Sequence, residues 1–160
     1  MITVIKSSFL QHKLTILRNK KTTNTVFRQT MNESSYLIAA EVLKYMQYKK
    51  ISIETPLKKI QGITLGQQII LVPILRAGLG LLEGFGKFLP DAEKGHIGLY
   101  RDEQTYEPVE YLFKLPKPKT KKVIILDPML ATGNSSIAAI NLIKKKDVKN
   151  KDIFLVSLLA

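Results

Sequence analysis

The segment Val123–Ser136, VIILDPMLATGNSS, combines residue types that could bind a phosphate. An apolar run ends at Asp127, and a loop of small and hydroxyl residues follows. If a helix begins after this loop, its free N–H groups, with the Thr132 and Ser135 hydroxyls, form a cradle for an anion. The Asp127 carboxylate beside that anion could contact a sugar hydroxyl or a bound Mg²⁺. The segment therefore predicts a site for a phosphorylated sugar.

A simpler interpretation of the same residues is an ordinary turn between a strand and a helix, capped by Ser or Thr. It would account for Thr132-Gly133 taken alone. The segment is not a Walker A loop, since no Gly-Lys-Ser/Thr follows. The combination of apolar strand, Asp127, small-residue loop and helix favours the anion site.

A second segment, Pro73–Gly80 or PILRAGLG, places Arg76 among small residues at the end of another apolar run. A guanidinium binds phosphate oxygens through two parallel hydrogen bonds, which suits a diphosphate. The alternative is an ion pair between Arg76 and a neighbouring carboxylate.

A third segment, Gly98–Tyr111, is polar and is followed by Lys114 and a lysine-rich stretch. Its composition is typical of a hairpin, of a mobile lid that excludes water, or of a solvated excursion.

The elements that must position these segments alternate between apolar strands and helices. This alternation predicts an α/β fold with a mostly parallel sheet flanked by helices, and ligands in such folds bind beyond the carboxyl ends of the strands. Residues 12–24 are interpreted as a polar entry segment. The expected elements, in chain order, are helix Asn32–Lys49 with Asn32, Ser34 and Ser35 as possible caps, strands Ile51–Thr55 and Gln67–Leu75, and a Gly-rich turn that enters a helix over Gly78–Phe88. They continue with strands His96–Tyr100 and Val123–Leu126, helix Ser135–Lys146 and strand Ile153–Leu159.

The composition limits the class of protein. The chain has 160 residues, 25 Lys+Arg and 13 Asp+Glu, and a net charge of +12. It has no cysteine, which excludes disulfides, thiol nucleophiles and Cys-bound zinc. The longest apolar stretch, Ile69–Leu75, is too short to span a bilayer, and the first residues lack the pattern of a signal peptide. The positive charge indicates either a polyanionic partner or lysines that solvate the surface.

The three segments resemble those of the type I phosphoribosyltransferases, and of the uracil phosphoribosyltransferase family in particular. DPMLATG at Asp127–Gly133 is similar to that family's phosphoribosyl-pyrophosphate (PRPP) signature, PILRAG to its pyrophosphate loop, and YRDE with EPV to its flexible lid. Pro128 stands where most relatives in the fold have a second acid, which is typical of the uracil enzymes. Asn134 stands where Gly is common, and Asn tolerates a left-handed backbone. Further similarity lies at His12-Lys13-Leu14, Leu17-Arg18, Phe27-Arg28, Glu41 and Glu54–Leu57.

The resemblance implies the type I phosphoribosyltransferase fold with a lid, and the reaction uracil + PRPP → UMP + pyrophosphate in pyrimidine salvage. It implies Arg76, Arg101 and Asp127 as catalytic residues and Mg²⁺ bound mainly through PRPP. The PRPP-binding residues that it implies are Arg76, Ala77, Gly78, Arg101, Asp127, Pro128, Met129, Leu130, Ala131, Thr132, Gly133, Asn134 and Ser135. A cytoplasmic homodimer or higher oligomer is expected, with no nucleic-acid or membrane partner.

Compared with the family, residues 1–160 are expected to form a single domain that lacks a C-terminal strand and the segment that recognises uracil. Two other functions therefore stay open. One is a non-catalytic regulator or subunit that binds PRPP or a nucleotide, and the other, based on charge alone, is an RNA-binding module. The lysine-rich stretches Lys117–Lys122 and Lys144–Lys151 are interpreted as solvated surface.

Overall fold

Helices and strands alternate through most of the chain. The computed structural model describes residues 2–102, 104 and 107–160. The elements are α1 (Ser8–Arg18), α2 (Asn24–Leu43), β1 (Tyr48–Glu54), β2 (Lys59–Leu65), β3 (Ile69–Leu75), α3 (Leu79–Phe88), β4 (Glu93–Lys94), β5 (His96–Arg101), β6 (Pro108–Lys114), β7 (Lys122–Leu126), α4 (Asn134–Lys144) and β8 (Ile153–Val156), with a 3₁₀ turn at Asn150–Asp152.

The main sheet has the strand order β6-β5-β3-β7-β8, and the short strand β4 pairs with β3. Strands β5, β3, β7 and β8 are parallel, whereas β6 runs antiparallel at one edge. The expected α/β fold, with a mainly parallel sheet flanked by helices, is confirmed.

The central strands are apolar on both faces because helices cover both. In β3, Ile69 and Leu71 face a core formed with α1, α2 and α3. Ile70 and Val72 face a second core formed with α4. Burying each such side chain contributes about 1.5–3 kcal/mol. The two cores hold β3 and β7 rigidly, and these strands carry two of the three candidate loops.

The interpretation of residues 12–24 as a polar entry segment is wrong for its first part, which belongs to α1. The Ser7 hydroxyl accepts a hydrogen bond from the Leu10 amide at 3.3 Å and caps the helix. Leu10 and Leu14 are buried, so α1 has a narrow apolar stripe on a mostly polar surface.

The expected bounds of the second helix, Asn32–Lys49, are also wrong. Helix α2 begins at Asn24, after Thr23, whose hydroxyl accepts a hydrogen bond from the Val26 amide at 3.4 Å. Ser34 and Ser35 are not caps but fully buried residues in the middle of the helix.

Small residues at these positions allow α2 and α3 to cross closely. A Cβ atom at Gly84 of α3 would lie 1.9 Å from the Ser35 hydroxyl oxygen. The Ser35 hydroxyl instead donates a hydrogen bond within its own helix, to the Asn32 carbonyl at 2.6 Å. The serines therefore serve helix packing.

Strands β1 and β2 form an antiparallel hairpin that is separate from the main sheet. The expected strand Ile51–Thr55 covers the second half of β1, which ends at Glu54, so Thr55 lies in the turn; β2 was not expected. At the turn, the Lys58 amide donates to the Thr55 hydroxyl at 3.1 Å. The hairpin exposes apolar side chains, including Leu57 at 95% and Ile63 at 72%.

Within the described residues, none of the helices combines the length and the apolar character that a bilayer crossing requires.

Candidate active site

A cavity of about 240 Å³ lies at the carboxyl ends of β3, β5 and β7, where ligands of parallel sheets bind. All but two of the thirteen residues that the resemblance implied for PRPP binding line it. The exceptions are Gly78 and Pro128, which are buried beside the loops. Three segments far apart in sequence thus share one cavity.

The loop after β7 leads into a cradle formed by the N-terminal end of α4. Gly133 has a φ of +81°, a left-handed conformation that favours glycine, and α4 begins at Asn134. Asn134 is already helical, so the left-handed backbone that Asn tolerates is not required of it, and the left-handed position falls on Gly133. The first helical bond runs from the Ile137 amide to the Gly133 carbonyl at 2.8 Å.

Several donors of this cradle have no partner in the described part of the chain. They are the backbone amides of residues 134–136 and the hydroxyls of Thr132 and Ser135. Because these amides also lie at the positive end of the α4 dipole, they can bind an anion without giving up an existing bond.

Asp127 lies beside the cradle and is only 9% exposed. The Ser136 hydroxyl donates a hydrogen bond to its carboxylate at 3.1 Å. Burial raises the pKa of Asp127 above its ordinary value, and hydrogen bonds from Ser136 and from the Met129 amide partly oppose that rise. These two donors hold the Asp127 carboxylate in place at the edge of the cavity.

Backbone bonds to the last residue of β8 and to the residues that follow it fix the position of the Asp127 loop. The Asp127 amide donates to the Val156 carbonyl at 3.1 Å, and the Leu130 amide donates to the Leu159 carbonyl at 2.8 Å. The Pro128 carbonyl accepts from Leu158 and Leu159. Strand β8 itself ends at Val156, so the expected strand Ile153–Leu159 is too long by three residues.

The loop after β3 presents Arg76 to the same cavity. The peptide bond between Leu75 and Arg76 is cis. Among the described residues, Arg76 has no carboxylate within ion-pair distance, so the alternative of an internal ion pair is not found there. Its guanidinium is exposed, which leaves its donors available to a ligand.

Gly78 holds this loop against the end of β7. A Cβ atom there would lie 2.3 Å from the Leu126 carbonyl oxygen. Only glycine allows the backbone that follows Arg76 to approach the strand that leads to Asp127.

Arg101 reaches the cavity from the end of β5. Strand β6 pairs antiparallel with β5, and Arg101 lies opposite Pro108. The third segment therefore contains a hairpin, which is one of the structures that its composition is typical of. The Asp102 amide donates to the Glu107 carbonyl at 3.0 Å. The lid residues Glu103, Thr105 and Tyr106 lie outside the described residues.

Sequence reasoning missed four residues that line the cavity, namely Ile74, Leu75, Leu99 and Ser136. The first three carry no polar group that could signal a site. Ser136 follows Ser135 in a helix start, where a Ser is normally assigned to capping.

The described residues contain no group of three or more His, Cys, Asp or Glu side chains that could hold a metal ion. Of the described residues that line the cavity, Asp127 alone carries a carboxylate. Magnesium is commonly bound through one or two carboxylates together with substrate phosphates. The residues present therefore fit a Mg²⁺ ion that is bound mainly through a phosphorylated ligand.

Comparison with known families gives a match over almost the whole chain. The model of the family described as uracil phosphoribosyltransferase matches residues 4–160. A uracil phosphoribosyltransferase of Finegoldia magna is 48% identical over 161 residues, covering 99% of this chain and 76% of its own. One of Lactiplantibacillus plantarum is 48% identical over 149 residues, covering 92% of this chain and 71% of its own.

Solved structures give the same fold. The AQ2163 protein of Aquifex aeolicus superimposes with a TM-score of 0.89 at 30% identity, covering 99% of this chain and 86% of its own. A purine phosphoribosyltransferase of Pyrococcus horikoshii superimposes with a TM-score of 0.59 at 18% identity, covering 81% of this chain and 71% of its own. At that identity the likeness is one of fold.

Proposed function

The chain belongs to the uracil phosphoribosyltransferase family, and we propose that it transfers the phosphoribosyl group of PRPP to uracil, forming UMP and pyrophosphate in pyrimidine salvage. One observation carries the assignment of the site. Arg76, Asp127 and the unpartnered amides of residues 134–136 meet in one cavity at the carboxyl edge of the sheet.

The 5′-phosphate of PRPP binds in the cradle at the start of α4. The amides of residues 134–136 and the hydroxyls of Thr132 and Ser135 supply donors, and the helix dipole favours the negative charge. Small residues, Ala131 and Gly133, let the phosphate approach the backbone. The cradle fixes the phosphate end of PRPP, and the anomeric carbon at the other end lies near Arg76, Arg101 and Asp127.

Asp127 binds the ribose hydroxyls. Its carboxylate accepts hydrogen bonds from Ser136 and Met129. Oxygen positions that remain free can accept bonds from a sugar diol. Because these two contacts hold the carboxylate in place, it can orient the ribose relative to its phosphate.

Arg76 and Arg101 bind the pyrophosphate. Their exposed guanidinium groups reach the cavity from β3 and from β5. As the bond between the anomeric carbon and the pyrophosphate oxygen breaks, negative charge grows on the leaving group, and the two cations stabilise it. Mg²⁺, bound mainly through PRPP, supplies further neutralisation of that charge.

The reaction then needs no nucleophilic side chain. Uracil N1 attacks the anomeric carbon, the electron pair of the breaking C–O bond leaves with pyrophosphate, and the released pyrophosphate takes up the proton of N1. Positioning of the two substrates and stabilisation of charge account for the rate. The β5–β6 hairpin acts as the lid that keeps water from the cationic sugar.

The remaining residues of the proposed PRPP site shape the loops. Ala77, Met129, Leu130 and Asn134 line the cavity. Gly78 and Pro128 lie behind it, and they support the loops from the side of the sheet.

The proposal is tested with the purified protein, PRPP, Mg²⁺ and uracil, by measuring UMP formation together with a calorimetric titration of PRPP. We expect UMP formation in the unmodified chain and a large loss of PRPP affinity in Arg76→Ala. Lys20→Ala removes an exposed positive charge outside the cavity and is the matched control. PRPP binding without UMP would favour the non-catalytic regulator, and unchanged affinity in Arg76→Ala would contradict the site.

We further propose a homodimer in the cytoplasm. The β1–β2 hairpin exposes Ile53, Leu57 and Ile63, and an isolated two-stranded hairpin is marginally stable unless another surface covers it. A second copy of the chain would supply that surface. Light scattering should give twice the mass of the monomer, and Ile63→Lys should lower it. Cell fractionation tests the location.

A further inference from the structure

At the end of the sheet opposite the candidate active site lie two lysine-rich segments, Lys117–Lys122 and Lys144–Lys151. The groove between them, here called the basal groove, has a volume of about 840 Å³. It runs along the amino ends of β3, β7 and β8 and the base of the β1–β2 hairpin. Since a strand rises about 3.3 Å per residue, Lys122 at the start of β7 lies about 17 Å from Asp127. The basal groove is therefore a separate site.

The basal groove carries a large excess of positive charge. Six lysines and two aspartates line it. Lys122 pairs with Asp152 at 2.6 Å, and Lys121 pairs with Glu93. These two lysines are therefore neutralised by the protein itself.

The other four lysines of the basal groove are exposed and form no ion pair with any residue that the structure describes. They are Lys49, Lys119, Lys149 and Lys151. Like charges gathered in one concave surface repel one another, and an anion that binds there removes this repulsion. Lysines that only solvate the surface would not be expected to gather in one groove.

Two residues of the basal groove have a left-handed backbone. Thr120 has a φ of 64° and Asp147 a φ of 60°, and these are the non-glycine residues with left-handed backbone in the described ranges. Both line the basal groove. This conformation is uncommon for a β-branched residue such as Thr120, and residues held in sparsely populated backbone conformations cluster at ligand sites.

The residue types of the lining indicate which anion fits. The lining residues include no Arg, His, Phe or Tyr. Without aromatic rings or guanidinium planes, the basal groove offers no platform on which bases could stack. An ammonium group binds phosphate as a point charge, and the volume lies within the range of about 300–1,000 Å³ typical of small-molecule sites.

We propose that the basal groove binds condensed phosphate, a linear chain of phosphoryl groups, through Lys49, Lys119, Lys149 and Lys151. The ligand carries closely spaced negative charges and no base, which matches a lysine-lined surface without aromatic residues. This site is independent of the proposed transferase reaction, because none of its lining residues belongs to the candidate active site.

The test is a calorimetric titration of the full chain with sodium tripolyphosphate. We expect saturable binding that weakens at least tenfold in Lys119→Ala/Lys149→Ala, and again in the independent pair Lys49→Ala/Lys151→Ala. The control Lys20→Ala/Lys21→Ala removes the same charge from an exposed stretch outside both cavities and should bind as the unmodified chain does. All substituted lysines are exposed, and thermal unfolding verifies that each variant is folded.

Two further measurements distinguish binding in the basal groove from binding in the active site and from binding of nucleic acid. Because tripolyphosphate can also bind at Arg76 in the candidate active site, Arg76→Ala should lose that binding and keep the binding in the basal groove, which should still weaken when Lys119→Ala/Lys149→Ala is added. Loss of all binding in Arg76→Ala alone would place the ligand in the active site and overturn the proposal. A uridylate oligonucleotide of matched charge should bind more weakly than tripolyphosphate. Tighter binding of the oligonucleotide, equal affinity in both groove variants and the unmodified chain, or no binding by the unmodified chain would each overturn it.

Discussion

Replacing Gly78 by Ala tests whether the loop after β3 must contact the end of β7 for the candidate site to keep its shape. A Cβ atom at this position would lie 2.3 Å from the Leu126 carbonyl oxygen and 2.7 Å from the Ile74 amide nitrogen. Both are backbone atoms, so rotation of a side chain cannot relieve the overlap. Gly78 has a φ of −60°, which alanine adopts freely, so the effect is steric.

The size of the effect follows from these distances. Ordinary contact begins at 3.4 Å, so Gly78 and Leu126 must move apart by about 1 Å. Overpacking of this kind costs about 1–3 kcal/mol, and alanine is a poorer helix N-cap than glycine by roughly 0.5 kcal/mol. The midpoint of thermal unfolding should fall by about 5–10 °C. A shift of about 1 Å between Arg76 and Asp127 should lower the rate of UMP formation by about 100-fold.

Gly86→Ala is the matched control because it lies in the same helix, α3, and its Cβ atom would meet nothing within 4 Å. Alanine is favoured over glycine in a helix interior by about 1 kcal/mol, so the unfolding midpoint should rise by about 2–4 °C with the rate unchanged. Circular dichroism gives the midpoints, and product analysis gives the rates. If Gly78→Ala matched Gly86→Ala in both measurements, close contact between the two loops would not be required.

Three other substitutions test the site and the core. Because burial raises the pKa of Asp127, its charged form is less stable in the fold than in the unfolded chain, and the free energy of unfolding falls as pH rises through that pKa. Asp127→Asn should therefore raise the unfolding midpoint at neutral pH, lose this gain in acid, and abolish UMP formation; a lower midpoint at neutral pH would refute this reasoning. Ser136→Ala removes a hydrogen bond to that carboxylate, so it should cost about 1–3 kcal/mol and move the acidic limb of the rate profile to higher pH. An unmoved limb would show that Ser136 does not act through Asp127. Ile124→Ala should cost about 2–5 kcal/mol by urea denaturation, whereas the exposed Val4→Ala should cost less than about 0.5 kcal/mol, and equal effects would contradict the assignment of the core.

The sequence predicts most of the sheet because the strands that matter are fully buried. The residues of two strands, Ile69–Leu75 and Val123–Leu126, are all apolar. A strand that is covered on both faces requires this pattern. The rule that ligands bind at the carboxyl ends of parallel strands then brings the loops of Arg76 and Asp127 together.

The helices at the start of the chain were harder to predict, since their signals are weak or ambiguous. Helix α1 buries only Leu10 and Leu14, and Ser34 and Ser35 of α2 are residue types that are usual at helix ends. These serines serve the close packing of α2 on α3, which depends on Gly84, about fifty positions away in the chain. The local sequence cannot reveal a helix crossing of that kind.

The same limit applies to the site and to the basal groove. The role of Ser136 depends on its hydrogen bond to a residue nine positions earlier. The convergence of Lys119 and Lys149 depends on the parallel pairing of β7 with β8. Pairing between distant strands is a property of the whole fold, which explains why each lysine-rich stretch alone is indistinguishable from solvated surface.

The separation of the β1–β2 hairpin from the main sheet has a consequence for hydrogen exchange. Its strands, Tyr48–Glu54 and Lys59–Leu65, pair with each other, whereas β3 lies between two cores. The hairpin should therefore open locally, at a lower free energy than global unfolding, and exchange its amides early. Any partner that covers it would slow that exchange without affecting β3, so deuterium uptake over residues 48–65 is a local reporter of assembly.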